Sequence, residues 1–312
     1  MKTAFLFPGQ GAQAVGMGKD FAQGFAPAAD VFAKANDIVG YDLRKICFEG
    51  PAEKLNSTTI SQPAIFTASA AMLEVMRTNP TTQKIEPTIT AGLSLGEYTA
   101  LYAAGLISFE DALSLVQKRG QAMQEAADAT DGGMVSIIGL DAQEVRELCA
   151  EAAAGEPLAG VNFNCPGQIV VSGTKAACAR AEELAPKHGA MKAIRLAVAG
   201  AFHTEMMAPA AKALGEALAN TMIAEPAKVK VIANINADYY SSAEDIADGL
   251  VKQLTCPILW QKCMEKLLFD EVCQFYEIGP GRVLTGLMRR INRKTKITNI
   301  SSVESFEQLL ET

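Results

Sequence analysis

Five residues, Gly92-Leu93-Ser94-Leu95-Gly96, constrain this chain more than any other stretch. They follow an apolar run, Pro87–Ala91, and lead into a helical one, Glu97–Ala104. A strand that becomes a helix within so few residues must turn sharply. Glycines on both sides of the turn allow this because they carry no Cβ. The turn predicts a serine at a helix N-terminus with its hydroxyl exposed. The amide of Leu95 can then face a developing oxyanion, with the helix dipole behind it. The pattern alone recurs by chance in many chains; its position between strand and helix gives it meaning.

The rest of the chain repeats this alternation. Short apolar runs read as strands near 3–7, 88–92, 229–233, 274–278 and 297–300. Helical periodicity fills Ala26–Val39, Thr59–Arg77, Phe109–Ala127, Ala208–Ala219 and Ala243–Leu254. Strands alternating with helices predict an α/β fold, a mostly parallel sheet covered on both faces. Between about 130 and 197 the rhythm changes. Met134–Gly139 reads as a strand, and Asp141 caps a helix running toward Ala154. Leu158–Asn164 and Gln168–Ser172 pair around Cys165-Pro166-Gly167. Thr174 opens a helix ending near His188-Gly189, and Ala193–Leu196 is a last strand. That order, β-α-β-β-α-β, is ferredoxin-like. The expected organisation is therefore a large α/β domain, residues 1–129 and 198–312, with a small ferredoxin-like subdomain, 130–197, inserted in it.

Composition excludes several classes of function. The net charge of −7 argues against nucleic acid as a partner, since phosphate binding needs a basic face. The seven cysteines form no CxxC pair, which predicts neither a disulfide framework nor a metal site and fits a reducing compartment. The apolar stretch Thr59–Met76 contains Gln62 and Glu74 and reads as a buried amphipathic helix rather than a membrane span. The first apolar run breaks at Pro8-Gly9, too early for a secretory leader, so a cytoplasmic protein is expected.

There are only two histidines, His188 and His203. A serine hydroxyl is a weak nucleophile and needs a base poised near neutral pH. His188 lies in Pro186-Lys187-His188-Gly189, where a helix C-terminus favours a positive side chain without any catalytic reason. His203, in Gly200-Ala201-Phe202-His203-Thr204, could be a capping or core imidazole; if Ser94 is a nucleophile, it is the base.

Phe7-Pro8-Gly9-Gln10-Gly11-Ala12-Gln13, Gly92-Leu93-Ser94-Leu95-Gly96-Glu97-Tyr98, Arg119-Gly120, Ala201-Phe202-His203, Gln253-Leu254 and Gly279-Pro280-Gly281 occur in one order across nearly the whole chain. Together they resemble the malonyl-CoA:acyl-carrier-protein transacylase family, acyltransferases of fatty-acid and polyketide synthesis. The resemblance implies a hydrolase-like core and a ping-pong transfer. Ser94 would take malonyl from malonyl-CoA as an ester, with His203 as base. The phosphopantetheine thiol of an acyl carrier protein would then accept it, supplying fatty-acid elongation. It implies an oxyanion hole from the amides of Gln10 and Leu95, and a histidine oriented by the backbone carbonyl of Gln253. It also places Asn162, Gln62 and Phe202 along the cleft, although a polar residue on a sheet edge explains Asn162 equally well. Phe202 matches the malonyl rather than the methylmalonyl type. No cofactor or metal is implied, CoA thioester being a substrate; a monomer is expected.

Arg119 lies on a helix with apolar neighbours and could simply be a surface residue. The resemblance favours a guanidinium clamping the free carboxylate of malonyl. Such a clamp selects a dicarboxylic acyl group because its buried charge stays unpaired with any other. The chain departs from the family at Leu93, where histidine is usual, and at Ala201, where proline is often found. Leu93 puts acyl selectivity in question. Carrier proteins are acidic, so docking calls for a local basic surface. Lys187, Lys192 and Arg195 form one candidate; Arg282, Arg289, Arg290, Arg293, Lys294 and Lys296 form another. The commoner reading of both is a solvated face, and for the second also favourable charge at a helix C-terminus. A serine thioesterase using the same Ser–His pair is the nearest alternative, and a carrier-binding module without catalysis is another.

Overall fold

The computed structural model describes residues 1–311. Five strands form a parallel sheet: β1 (Thr3–Phe7), β2 (Ile89–Gly92), β7 (Lys230–Val231), β8 (Gln274–Ile278) and β9 (Ile297–Ile300), in the order β7-β2-β1-β8-β9. Every pairing in it is parallel. Strand β1 shows why both faces are covered. Phe5 and Phe7 enter one apolar cluster with residues of helices Ala26–Val39, Thr58–Thr78 and Phe109–Asp128. Ala4 and Leu6 enter another with Trp260, Met264 and Leu267 of helix Trp260–Phe269 and with Leu284 and Leu287. Successive strand residues point to opposite faces, so a continuous apolar run needs two cores.

Four further strands, β3 (Gly132–Ile138), β4 (Leu158–Cys165), β5 (Gln168–Thr174) and β6 (Lys192–Arg195), form an antiparallel sheet in the order β4-β5-β3-β6. Helices Ala142–Ala153 and Lys175–Leu184 complete its β-α-β-β-α-β sequence. Asp141 closes a full capping box with Glu144, and Thr174 accepts from the Ala177 amide. Val135, Ile137, Ile169 and Val171 pack with the two helices, whereas Met134, Val161 and Val170 join the main core. The antiparallel sheet is thus apolar on both sides and shares a core with the parallel one.

Three expectations need correcting. The helix Thr58–Thr78 is not amphipathic: it lies between neighbouring helices, and even Ser61, Gln62, Thr67 and Ser69 are fully buried. The helix after Thr174 ends at Leu184, with only turns carrying the chain to Gly189. The strand expected over 229–233 shrinks to Lys230–Val231, because β7 pairs with β2 alone at the sheet edge.

The two sheets are stitched together through Ile258 and Arg290. Ile258 donates its amide to the Val161 carbonyl (2.7 Å), and Phe163 donates to the Ile258 carbonyl (2.9 Å). Arg290, at the end of helix Val283–Ile291, donates to the carbonyls of Pro166 and Gly167 in the β4–β5 turn. Entry to and exit from the antiparallel sheet also touch, since a Cβ on Gly132 would lie 2.5 Å from the Ala201 nitrogen. This contact sets the exit segment, and with it His203, against the first strand of that sheet.

Candidate active site

The turn after β2 is as tight as its sequence demands. A Cβ on Gly92 would lie 1.9 Å from the Gly96 carbonyl carbon, and one on Gly96 would lie 2.2 Å from the Phe7 carbonyl oxygen. Neither position admits a larger residue without moving backbone. Between them Ser94 has φ of 51°, a left-handed conformation costly to a side chain and often found where function holds it. The segment after β1 packs on this turn: a Cβ on Gly9 would meet the Leu93 carbonyl at 2.2 Å.

Ser94 Oγ lies 3.1 Å from His203 Nε2. His203 also has a positive φ, 61°, so two strained residues from opposite sides meet at one hydrogen bond. Its Nδ1 faces the Gln253 backbone carbonyl at 2.7 Å. That carbonyl can only accept, so Nδ1 carries the proton and Nε2 is left as the acceptor for the serine hydroxyl. Burial pushes the imidazole pKa down from 6.5 to about 4, and the nearby Arg119 cation pushes the same way, against the pull of the Gln253 carbonyl. His203 is therefore neutral, ready to take a proton.

Arg119 is buried, 1% exposed, on helix Phe109–Asp128. The surface reading of this residue does not apply. Its Nη1 donates to Gln62 Oε1 (2.7 Å); its Nη2 donates to Gln253 Oε1 (2.9 Å) and to Ser94 Oγ (3.0 Å). All three acceptors are neutral, and the guanidinium makes no ion pair among the described residues. A buried cation without an anion is costly, by roughly several kcal/mol.

The amides of Gln10 and Leu95 donate to no acceptor among the described residues, while the neighbouring amides of Gly11, Ala12, Gly96 and Glu97 all do. Phe202 is buried in the main core. Asn162, on β4, is bridged through its backbone to Ile258, and its side-chain oxygen is buried without a partner. The structure thus brings Ser94, His203, Arg119, Gln253 and Gln62 into direct contact. His188 lies outside this group and faces Glu151 at 2.8 Å.

Two further residues belong to the group. Asn234, just after β7, accepts from the Ser94 amide (2.6 Å) and donates to the Gly92 carbonyl (2.8 Å). Glu97, fully buried, accepts from Gln253 Nε2 (2.8 Å) and from the Asn234 amide (3.1 Å). Glu97 stands within the motif, but its partners lie far along the chain, so only the fold reveals them. Leu93, beside Ser94, packs against the cluster that contains Trp260 and Ile258. Among the described residues no group of three or more His, Cys, Asp or Glu is placed to hold a metal ion, and no helix is long and apolar enough to cross a membrane.

The acyl transferase domain model matches residues 4–307. The chain is 43% identical over 312 residues to the malonyl CoA-acyl carrier protein transacylase of Bacillus subtilis (strain 168), covering 100% of this chain and 97% of that protein. Among solved structures, an acyl carrier protein S-malonyltransferase from Vibrio cholerae superposes with a TM-score of 0.92 at 40% identity, covering 99% of this chain and 100% of the other. A malonyl-transacylase in complex with its type II PKS acyl-carrier protein gives a TM-score of 0.94 at 40% identity, covering 100% and 99%.

Proposed function

The chain belongs to the acyl transferase domain family, among its malonyl-CoA:acyl-carrier-protein transacylases, and on that premise we propose that it carries malonyl from malonyl-CoA to a carrier protein through an ester on Ser94. The observation that carries this reading is Arg119: a buried guanidinium, paired only with neutral acceptors, 3.0 Å from the nucleophilic oxygen. An acyl group with a free carboxylate supplies the missing anion; acetyl does not.

In the first half-reaction Ser94 Oγ attacks the thioester carbon while its proton passes to His203 Nε2. The carbonyl oxygen becomes an oxyanion, for which the free amides of Gln10 and Leu95 are the available donors. The C–S bond breaks, CoA sulfur takes the proton from His203, and malonyl-Ser94 remains. In the second, the phosphopantetheine thiol gives its proton to His203 and attacks the ester. The bond between the malonyl carbonyl carbon and Ser94 Oγ then breaks, the thioester forms, and Oγ recovers the proton from His203. Gln253 fixes the imidazole through its carbonyl, in place of a carboxylate. The malonyl carboxylate also neutralises Arg119, so substrate binding removes one of the influences that hold His203 weakly basic.

We read the chain as a hydrolase-like core, 1–129 and 198–312, in which the strand–serine–helix turn sits at the carboxyl ends of the parallel strands. The inserted unit, 130–197, has the ferredoxin-like strand order, with Asn162, Gln62 and Phe202 along the cleft between them. No cofactor is required, and we read the protein as a cytoplasmic monomer. Arg289, Arg293, Lys294 and Lys296 make no ion pair among the described residues and suit an acidic carrier. Arg290, exposed beside them, also donates to the carbonyls of Pro166 and Gly167 in the β4–β5 turn. The test is to load the protein with radiolabelled malonyl-CoA and add a carrier protein. Label passing to the carrier is expected; release only as free malonate would make the chain a thioesterase.

A further inference from the structure

We propose that Glu97 is a positioning residue whose carboxylate ties the turn bearing Ser94 to the carbonyl holding His203, through Asn234 on one side and Gln253 on the other. The proposal rests on the transferase reading above and adds to it a residue that touches neither substrate nor the reacting atoms.

Glu97 is completely buried on helix Gly96–Ala103 and makes no ion pair among the described residues. Its Oε2 accepts from Gln253 Nε2 and from the Asn234 amide, and its Oε1 accepts from the Tyr240 hydroxyl. All three neighbours are donors, a set that matches an ionised carboxylate and leaves a neutral amide short of acceptors. Burial pushes this carboxyl up to about 7, against those three hydrogen bonds and the Arg119 cation, which pull it down.

Two of the three partners, Asn234 and Gln253, lead to the reacting pair. Asn234, its backbone held by Glu97, grips the turn on both sides, accepting from the Ser94 amide and donating to the Gly92 carbonyl. The grip falls on a residue held at φ of 51°, where the backbone would otherwise relax. Gln253 gives Nε2 to Glu97 and, at 3.2 Å, to the Ser94 carbonyl. That contact decides which way its side-chain amide points: nitrogen to the carboxylate, oxygen to Arg119. The backbone carbonyl of the same residue holds His203 Nδ1. Nucleophile and base, on separate segments, are thus registered through one carboxylate.

The test uses the full chain with Glu97→Gln, whose single carbonyl oxygen cannot serve all three donors. Three quantities are read: single-turnover acylation by malonyl-CoA and by acetyl-CoA, reaction of Ser94 with a fluorophosphonate probe, and the melting temperature. The expected result is a loss of about 100-fold in acylation by both donors, the size associated with misplacing a reacting group by about 1 Å. The KM of each donor should be unchanged, the fluorophosphonate reaction slowed in parallel, and the variant folded. Should Glu97→Gln not fold, Tyr240→Phe removes one donor at almost constant size and should slow both donors by about 3–10-fold, in line with the loss of one hydrogen bond. Wild-type rates in the folded variant overturn the proposal. So does a loss confined to malonyl-CoA or to KM, which would place Glu97 in substrate recognition. The fluorophosphonate arm needs no acyl donor, so it judges Glu97 even if malonyl transfer is not the reaction.

Discussion

The parallel and antiparallel sheets are joined through Ile258 but bring to that junction opposite kinds of surface. From the parallel half come Ser94, Arg119, His203, Gln253, Asn234 and Glu97, buried or nearly so and joined by hydrogen bonds of 2.6–3.2 Å. From the antiparallel half comes Asn162, half-buried, its side-chain oxygen without a partner. Groups that must hold reacting atoms in place are joined in one hydrogen-bonded network that leaves Arg119 Nε unpartnered, whereas the Asn162 side-chain oxygen stands outside it. We read the first half as the chemistry and the second as the wall that shapes access.

Arg119→Ala tests the division most severely, because it removes a buried cation that meets no anion among the described residues. Acylation by malonyl-CoA should fall by about 100-fold or more, the scale for losing a buried charged partner, while acylation by acetyl-CoA survives or improves. Steady-state kinetics with both donors decide it, and an unchanged preference would mean the cation does not read the carboxylate. A subtler change should appear in the pH profile with acetyl-CoA. Removing the cation makes the His203 imidazolium easier to form, so its pKa rises from about 4 toward 6.5. The lower of the two acid inflections, below that of Glu97 near 7, should therefore move to higher pH in Arg119→Ala. A shift to lower pH would contradict the assigned influence. The smallest effect is expected across the cleft. Asn162→Ala should change the KM for malonyl-CoA by about threefold and leave the acylation rate constant nearly untouched, since a lost polar contact is worth about 1 kcal/mol. A large fall in the rate constant would move chemistry into the antiparallel half.

The contrast also explains what the sequence disclosed. Residues whose role is local were legible: the glycines of the serine turn, the Asp141 cap, and the strands β3 and β5. Helix Trp260–Phe269 begins without a side-chain cap. Helix Val283–Ile291 takes its cap from Glu277, on a neighbouring strand, which accepts the Leu284 and Thr285 amides. Neither start is written in the adjacent residues. Asn234 and Glu97 escaped for the same reason, their partners being over a hundred residues away. Gln62 and Gln253, by contrast, came from the family resemblance and not from any local pattern. Helix Val303–Leu310 went unread, although Ser302 and Ser305 form a capping box at its start.

The central claim is that one serine carries the acyl group, and intact-mass spectrometry after mixing with malonyl-CoA tests it directly. The wild-type chain should gain the mass of a single malonyl group and lose it when carrier protein is added; Ser94→Ala should gain nothing. An adduct retained in Ser94→Ala, or none on the wild type, would contradict the account.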